Sequence, residues 1–468
     1  MKKLLLTVLI LTLSLAVLLI FTGCNNENKP LEPEDVDLDA MDSAERAKFL
    51  FEASDRRLSA ASSYEQKERM TIEVVGISKG EIVAEGKIEG VGTDNYKEHA
   101  VTTTTTWYDT GAEKTVETSI SGYADGYMYK SWQSSDYSNE IKSPLTAAEY
   151  LEHKSASREL PDPKPETYKS EKNKDGTWTL AIHDFDKEFK EAFAEQMGLS
   201  GAMMRGEIDE MSLMVELDEN FYPKRMILDF DLDLDLGFEV KMTSMEVEIF
   251  NINSTTVNAP SLADYRELSD LRAMDNASSA ISALGRKDEG SFVYEMSLLS
   301  GNSSSYKEYT DRRTVEYETK LNDTLRVTMD VKSTDGNSYY IYEYGYMSEY
   351  LGKDGALQET NVLTNDDVKD MLYQMQCFAA FDEKYISKIE YNETAKEYVL
   401  TFRLTDALIA EYTGKDLSDL ESDALYTVTV AYGDDGEISS CSMRMSMKFK
   451  YIYVDVMISC EQKELNKE

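Results

Sequence analysis

What most constrains this chain is a piece of helix punctuation that occurs twice. Leu145-Thr146-Ala147-Ala148-Glu149 offers a Thr hydroxyl to cap a helix, with a carboxylate three residues on that can reach back to the Thr N–H. Leu363-Thr364-Asn365-Asp366-Asp367 repeats the device 218 positions later. Ser43 opens a helical stretch, SAERAKFLFEASDRRLSAAS, and Ser261 opens another at the same offset, SLADYRELSDLRAMDNASSAISAL. In the second stretch Leu262, Tyr265, Leu268, Leu271, Ile281 and Leu284 share one face at helical spacing. The turn Leu217-Asp218-Glu219-Asn220 has a counterpart in Tyr432-Gly433-Asp434-Asp435-Gly436, and long alternating strands follow both. A chain of 468 residues is also too long for one ordinary core. These marks predict an ancient tandem duplication, with domains over 43–253 and 261–465 and a connection near Asn253 to Pro260.

Between Ser63 and Trp132 the chain is rich in Thr, Tyr, Val and Ile, with period-2 alternation broken at Gly and Asp-Gly turns. Segment VEYETKLNDTLRVTMDVKSTDGNSYYIYEYGYM continues the theme in the second half. Each copy reads as helix, several strands, short helix, strand, short helix and three strands. The expected class is α+β, an antiparallel sheet with helices on one face.

The N-terminus gives an address. Lys2 and Lys3 precede an uninterrupted apolar run from Leu4 to Phe21, the pattern of a secretory leader. Phe21-Thr22-Gly23-Cys24 is similar to a bacterial lipobox, in which Cys24 receives a diacylglycerol and the signal peptide, residues 1–23, is removed; Phe21 stands where Leu is usual. The alternative is an uncleaved transmembrane anchor. Both place the remainder outside the cytoplasm, and lipidation of Cys24 would hold it at the outer face of the cytoplasmic membrane. Two or three acyl chains hold stably where one does not. Residues 24–42, acidic and bearing Pro30 and Pro33, read as a flexible tether that cannot bury enough surface to offset its ordering entropy.

The formal net charge of −39 argues against nucleic acid as a partner, which needs a basic footprint, and against lying flat on anionic lipid. His99, His153 and His183 are the only histidines, and no two stand at helical or turn spacing. HExxH, GxSxG, GxxxxGK[ST] and GxGxxG do not occur. No cofactor, no metal and no enzymatic activity are expected. The ladder Asp229, Asp231, Asp233, Asp235 fails the EF-hand template, because Gly237 is one place late and Met242 stands where Glu is needed. A strand explains it: Leu228, Phe230, Leu232 and Leu234 face one way and the aspartates the other.

The C-terminal segment CSMRMSMKFKYIYVDVMISC alternates, shifts phase by one residue, and alternates again. A hairpin turning near Lys450-Tyr451 accounts for the shift and sets Cys441 opposite Cys460, within disulfide reach in an oxidising compartment. The alternative is a pair of buried thiols. Cys377, on an expected helix, reads as a small core residue.

An N-terminal helix, helices inserted between late strands and a lipobox together resemble the LolA/LppX-like lipoprotein superfamily, most of all its DUF6612-type Gram-positive lipoproteins. GYADGYMYKSW and the alternating final hairpins carry the resemblance, over both copies. It implies two tandem half-barrels, each a strongly bent antiparallel sheet whose apolar concave face is covered by helices and shelters acyl chains, lipids or lipoproteins. Phe185, Phe189, Phe193 and Met197 would line such a cavity in the first copy, and Leu408, Ile409 and Tyr412 in the second. Plain core packing is the alternative for such a stripe. No headgroup-binding residue carries over. The expected function is a non-catalytic cell-surface lipoprotein binding a hydrophobic or amphiphilic ligand; the alternative is a structural module that meets an envelope protein partner.

Overall fold

The structure, a computed structural model, describes residues 33–75, 78–108, 114–135, 137–156, 167–196, 200–201, 204–234, 240–242, 244–284, 287–302, 305–320, 324–376, 383–403, 425–449 and 452–463. Cys24, Met197, Cys377, Leu408, Ile409 and Tyr412 lie outside the described residues. The chain forms two compact units that meet in sequence at Leu268 and Ser269.

In the first unit the strands are β1 (Ser63–Val74), β2 (Ser78–Glu89), β3 (Lys97–Tyr108), β4 (Thr115–Ala124), β5 (Tyr127–Gln133), β6 (Ser138–Pro144), β7 (Thr167–Lys172), β8 (Trp178–His183), β9 (Ser200–Gly201), β10 (Met204–Leu217), β11 (Pro223–Leu234), β12 (Val240–Met242), β13 (Met245–Phe250) and β14 (Arg266–Glu267). They form one sheet in the order β14-β6-β5-β4-β3-β2-β1-β13-β11-β10-β8-β7, with β12 on β1 and β9 on β10. Period-2 burial is visible along β2, where Ile82, Ala84 and Ile88 turn inward and Glu81, Val83 and Glu85 do not. In β11, Met226, Leu228 and Phe230 are buried while Asp229 is exposed, as the alternation predicts.

The helix Ser43–Ala60 is capped by Asp42, whose Oδ1 accepts the N–H groups of Ala44 and Glu45 at 2.9 Å each. It packs on β7, β8 and β11 and buries Ala47, Leu50, Ala53 and Leu58. Shorter helices run over Ala147–Ala156 and Lys187–Gln196.

The second unit holds β15 (Glu289–Asn302), β16 (Ser305–Lys320), β17 (Thr324–Ser333), β18 (Gly336–Glu343), β19 (Tyr346–Tyr350), β20 (Leu357–Val362), β21 (Ile386–Asn392), β22 (Glu397–Arg403), β23 (Leu425–Gly433), β24 (Ile438–Phe449) and β25 (Ile452–Lys463). Their order is β20-β19-β18-β17-β16-β15-β25-β24-β23-β22-β21. Strand for strand, this is the order of the first unit from β6 to β7. Helix Arg272–Leu284 packs on β22, β23 and β24, and helix Asn365–Gln376 on β15 and β25.

Two expectations change. The α+β class, with half-barrels whose concave faces are covered by helices, is overturned: the described residues form 25 strands and five α-helices, arranged as two large and mostly antiparallel sheets. The helices are too short to cover such sheets; the longest, with 18 residues, rests at one end of a 14-stranded sheet. The helix expected from Ser261 begins instead at Arg272. Upstream of it, Arg266 and Glu267 pair in parallel with Ile141 and Lys142 of β6, and Leu268 N–H donates to the Lys142 carbonyl at 2.8 Å. Tyr265 and Leu268 are buried there. Burial at a sheet edge satisfies the same apolar side chains that helical periodicity had claimed.

Candidate functional site

The two helix caps form as the sequence predicts, and each sits beside the same small constellation. In the first unit the β4–β5 hairpin turns through Asp125 and Gly126 at φ 52° and 83°. Leu145 N–H donates to the Gly126 carbonyl at 2.9 Å, and Tyr123 Oη–H to the Leu145 carbonyl at 3.0 Å. Thr146 then caps its helix: its Oγ1 lies 2.6 Å from Glu149 Oε2, which also accepts Thr146 N–H at 2.9 Å. The second unit repeats each contact. Tyr344 and Gly345 turn at φ 55° and 82°, Leu363 N–H donates to Gly345 at 3.1 Å, Tyr342 Oη lies 3.2 Å from the Leu363 carbonyl and 2.8 Å from Asn365 Oδ1, and Thr364 Oγ1 lies 2.6 Å from Asp367 Oδ2.

This shared frame matches positions between the units. Glu98 stands opposite Tyr123 in β3–β4, as Val327 stands opposite Tyr342 in β17–β18. Two residues earlier are Tyr96 and Leu325. Four residues after the capping threonines come Tyr150 and Val368, and eight after them Lys154 and Leu372. Leu325, Val327, Val368 and Leu372 are all buried in one apolar cluster. The first unit fills the same corner with a carboxylate, an ammonium and two phenols.

Those groups hold one another. Lys154 Nζ lies 2.5 Å from both Glu98 oxygens, and the two side chains are 16% and 5% exposed. Tyr96 Oη–H donates to Glu98 Oε2 at 2.5 Å. Burial, reinforced by the Glu98 charge, raises the Tyr96 phenol well above its ordinary range and keeps it a donor. The Tyr150 ring stacks on Tyr123 with centroids 5.0 Å apart, and Lys154 Nζ stands 5.7 Å from its centre. Below the corner, Tyr129 Oη–H donates to the Glu98 carbonyl at 3.0 Å and meets His99 Nδ1 at 2.9 Å. A phenol has one proton to give, so Nδ1 carries the hydrogen in that contact. Burial lowers the His99 pKa, with the Lys87 charge adding to the effect. Gly122 makes this approach feasible: a Cβ there would stand 2.1 Å from the Glu98 carbonyl oxygen and 2.6 Å from Tyr129 Oη.

A cleft of about 820 Å³ opens beside the corner. Tyr96 and Tyr123 form its floor together with Leu145, and the turn Asp125-Gly126 and the first helical turn through Glu149 form its rim. Asp94 lines it from the β2–β3 connection and Lys97 from the start of β3.

Of the residues expected to line a cavity, the three that are described sit elsewhere. Phe185, Phe189 and Phe193 are all buried in the first unit's main core, with ring centroids 4.9 Å and 6.5 Å apart, and Phe193 meets Phe230 edge-on at 5.9 Å. None of them borders the cleft. Cys441 does stand opposite Cys460 across β24–β25; both are buried, and they are not joined by a disulfide. Among the described residues no cluster of three or more His, Cys, Asp or Glu is placed to hold a metal ion, and no helix is long and apolar enough to cross a membrane. Sequence reasoning missed the Glu98–Lys154 pair because 56 residues separate them. A signal was present: aligning the two caps sets Lys154 against Leu372, a charge against a core leucine.

No protein-family model matches the chain, and no curated protein matches it. Among solved structures it is similar to a DUF1329 family protein from Desulfovibrio piger, at 9% identity and a TM-score of 0.17, over 41% of this chain and 93% of that one. A LolA superfamily protein from Nitrosomonas europaea matches at 11% identity and a TM-score of 0.15, over 41% of this chain and 94% of that one. MucB in complex with MucA(peri) matches at 10% identity and a TM-score of 0.14, over 88% and 94%. Similarity at these TM-scores carries no argument about ligand, partner or location.

Proposed function

We propose that the chain is a lipid-anchored, extracytoplasmic binding protein without catalytic activity, and that the cleft of its first unit takes an amphiphilic ligand. The observation that carries this reading is the contrast between equivalent corners. The fold closes the corner with Leu325, Val327, Val368 and Leu372 in one unit, yet keeps Tyr96, Glu98, Tyr150 and Lys154 in the other. Desolvating an ion pair costs several kcal/mol per ion, and replacing one by packed apolar groups is often neutral or stabilising by roughly 1–4 kcal/mol. Of these four, Tyr96 lines the cleft, and Glu98, paired with Lys154, holds the Tyr96 hydroxyl from behind.

The cleft volume of about 820 Å³ falls within the roughly 300–1,000 Å³ of small-molecule sites. Its lining offers both surfaces an amphiphile needs: Pro144, Leu145 and Ala148 for an apolar part, and Asp94, Lys97 and Asp125 for a polar head. The anchor rests on the apolar leader and Cys24. Kinship with DUF6612-type lipoproteins and descent of the units from one duplicated module belong to the same proposal; their common strand order and paired caps support the duplication. A second reading, a protein-interaction module of the envelope, is favoured by one observation, the exposed β20 edge.

The test is native mass spectrometry of the mature chain taken from its own membrane, alongside the Glu98→Val/Lys154→Leu double variant, which carries the second unit's residues. Bound mass on the parent and none on a folded double variant is the expected result. A parent chain that is always empty, or a variant that keeps the ligand, sinks the reading.

A further inference from the structure

The outermost strand of the first unit's sheet path, β6, does not end in solvent. Residues 262–268 lie along it: β14 pairs with it in parallel, Lys142 Nζ donates to the Leu262 carbonyl at 2.8 Å, and Tyr265 meets Tyr129 edge-on at 6.1 Å. The equivalent strand of the second unit is β20, which ends its sheet with β19 as its one strand neighbour among the described residues. All six residues of β20 are exposed. Large apolar side chains gather around it: Tyr344 is 74% exposed, Leu351 66%, Leu357 55% and Val362 77%. Soluble proteins usually blunt such an edge with lysines, prolines, a bulge or a cover. The strand itself, Leu-Gln-Glu-Thr-Asn-Val, has one charge and no proline, and its one irregularity, a register shift that leaves Gln358 without an opposite residue on β19, lies at its N-terminal end and leaves Glu359 to Val362 regular.

We infer that β20 is a homodimerisation edge, pairing antiparallel with β20 of a second copy to join two sheets into one. The strand is self-complementary in a two-fold register centred on Thr360. With Thr360 on the axis, Thr360 faces its own copy and Glu359 faces Asn361, all within the regular part of the strand. Opposed threonines are a favourable cross-strand pair, and this register sets no like charges opposite one another. Shifting the axis to Glu359 would oppose two glutamates, which specifies the register against that slip. A two-fold interface of this kind closes on itself, so the product is a dimer and not a fibre. On the proposed anchor, both copies sit in one membrane, which raises the effective concentration of their six-residue edges. The chain's net charge of −39 opposes association at low salt, so added salt tightens the dimer by screening. A basic partner strand would show the opposite dependence.

The experiment is crosslinking of the full-length chain in its membrane with a short bismaleimide. Thr360→Cys places its thiols face to face, whereas Leu357→Cys lies beyond the register shift, with its two copies on opposite sides of the axis and far apart. The expected result is a dimer band several times stronger for Thr360→Cys than for Leu357→Cys or the parent chain, strengthened by added salt and abolished when Asn361→Pro is added. Equal bands at both positions, no dimer, or a crosslinked product with the mass of a different protein each overturn the inference; the last would make β20 a docking edge for another envelope protein.

Discussion

Asp55 sits on the helix Ser43–Ala60 with its Oδ1 buried and without a hydrogen-bond partner. Burial pushes its carboxyl up to about 6, partly offset by the Arg56 charge. The folded chain therefore binds this proton more tightly than the unfolded chain. The contribution to stability is full at pH below the ordinary carboxylate range and is lost as pH rises through about 6. Asp55→Asn is expected to raise unfolding free energy by about 3 kcal/mol at neutral pH and by less than about 1 kcal/mol near pH ~4. Urea titrations at both pH values check it; an equal effect at both would show that the burial penalty is not the cause. Cys441 and Cys460 make a second residue-level case. Opposed residues have Cα atoms about 4.5–5.5 Å apart, inside the roughly 4.4–6.8 Å span of disulfides. Diamide, a thiol oxidant, is expected to close a 441–460 bond at the expense of the two thiol hydrogens, visible as one cross-linked peptide after digestion. Alkylation of both thiols in the oxidised sample would refute it.

Elements were legible to different degrees. The caps were readable because a capping box is local: Thr146 with Glu149 and Thr364 with Asp367 use only neighbours in sequence. Thr146→Ala and Thr364→Ala should each cost about 1 kcal/mol, measured as separate losses in thermal unfolding, because the same geometry recurs in both units. A cost at one position only would break the equivalence on which the matched corners rest. The final hairpin was readable for a similar reason, since a one-residue phase shift fixes which thiols oppose. Hidden from the sequence was which partner an apolar face would choose. Leu262, Tyr265 and Leu268 keep helical spacing, yet they serve the first unit's sheet. The phenylalanine stripe 185–189–193 was visible as a stripe, while its burial against Phe230 depends on a strand about 40 residues away, which local periodicity cannot see.

At the scale of the molecule, two sheets share one strand order and differ in what fills a single corner and in what covers an edge. The Glu98–Lys154 pair tests that view energetically. Removing one partner, as in Lys154→Met, leaves a buried charge and should cost roughly 3–5 kcal/mol, whereas Glu98→Val/Lys154→Leu should recover most of that loss. A double variant as unstable as the single one would mean that the first unit has built its surroundings around the charge, and that the second unit's packing does not transfer.

One consequence follows from the short parallel strand Arg266–Glu267. Pro260 is the natural place to saw the polypeptide in half, being the proline-marked joint that closes the expected connection. A fragment stopped there would leave behind Tyr265 and Leu268, and with them the lid on its own flank. Stopped at 268 instead, it keeps its hem and should stay monodisperse where the shorter piece clumps, so the workable seam lies past the joint the eye would choose.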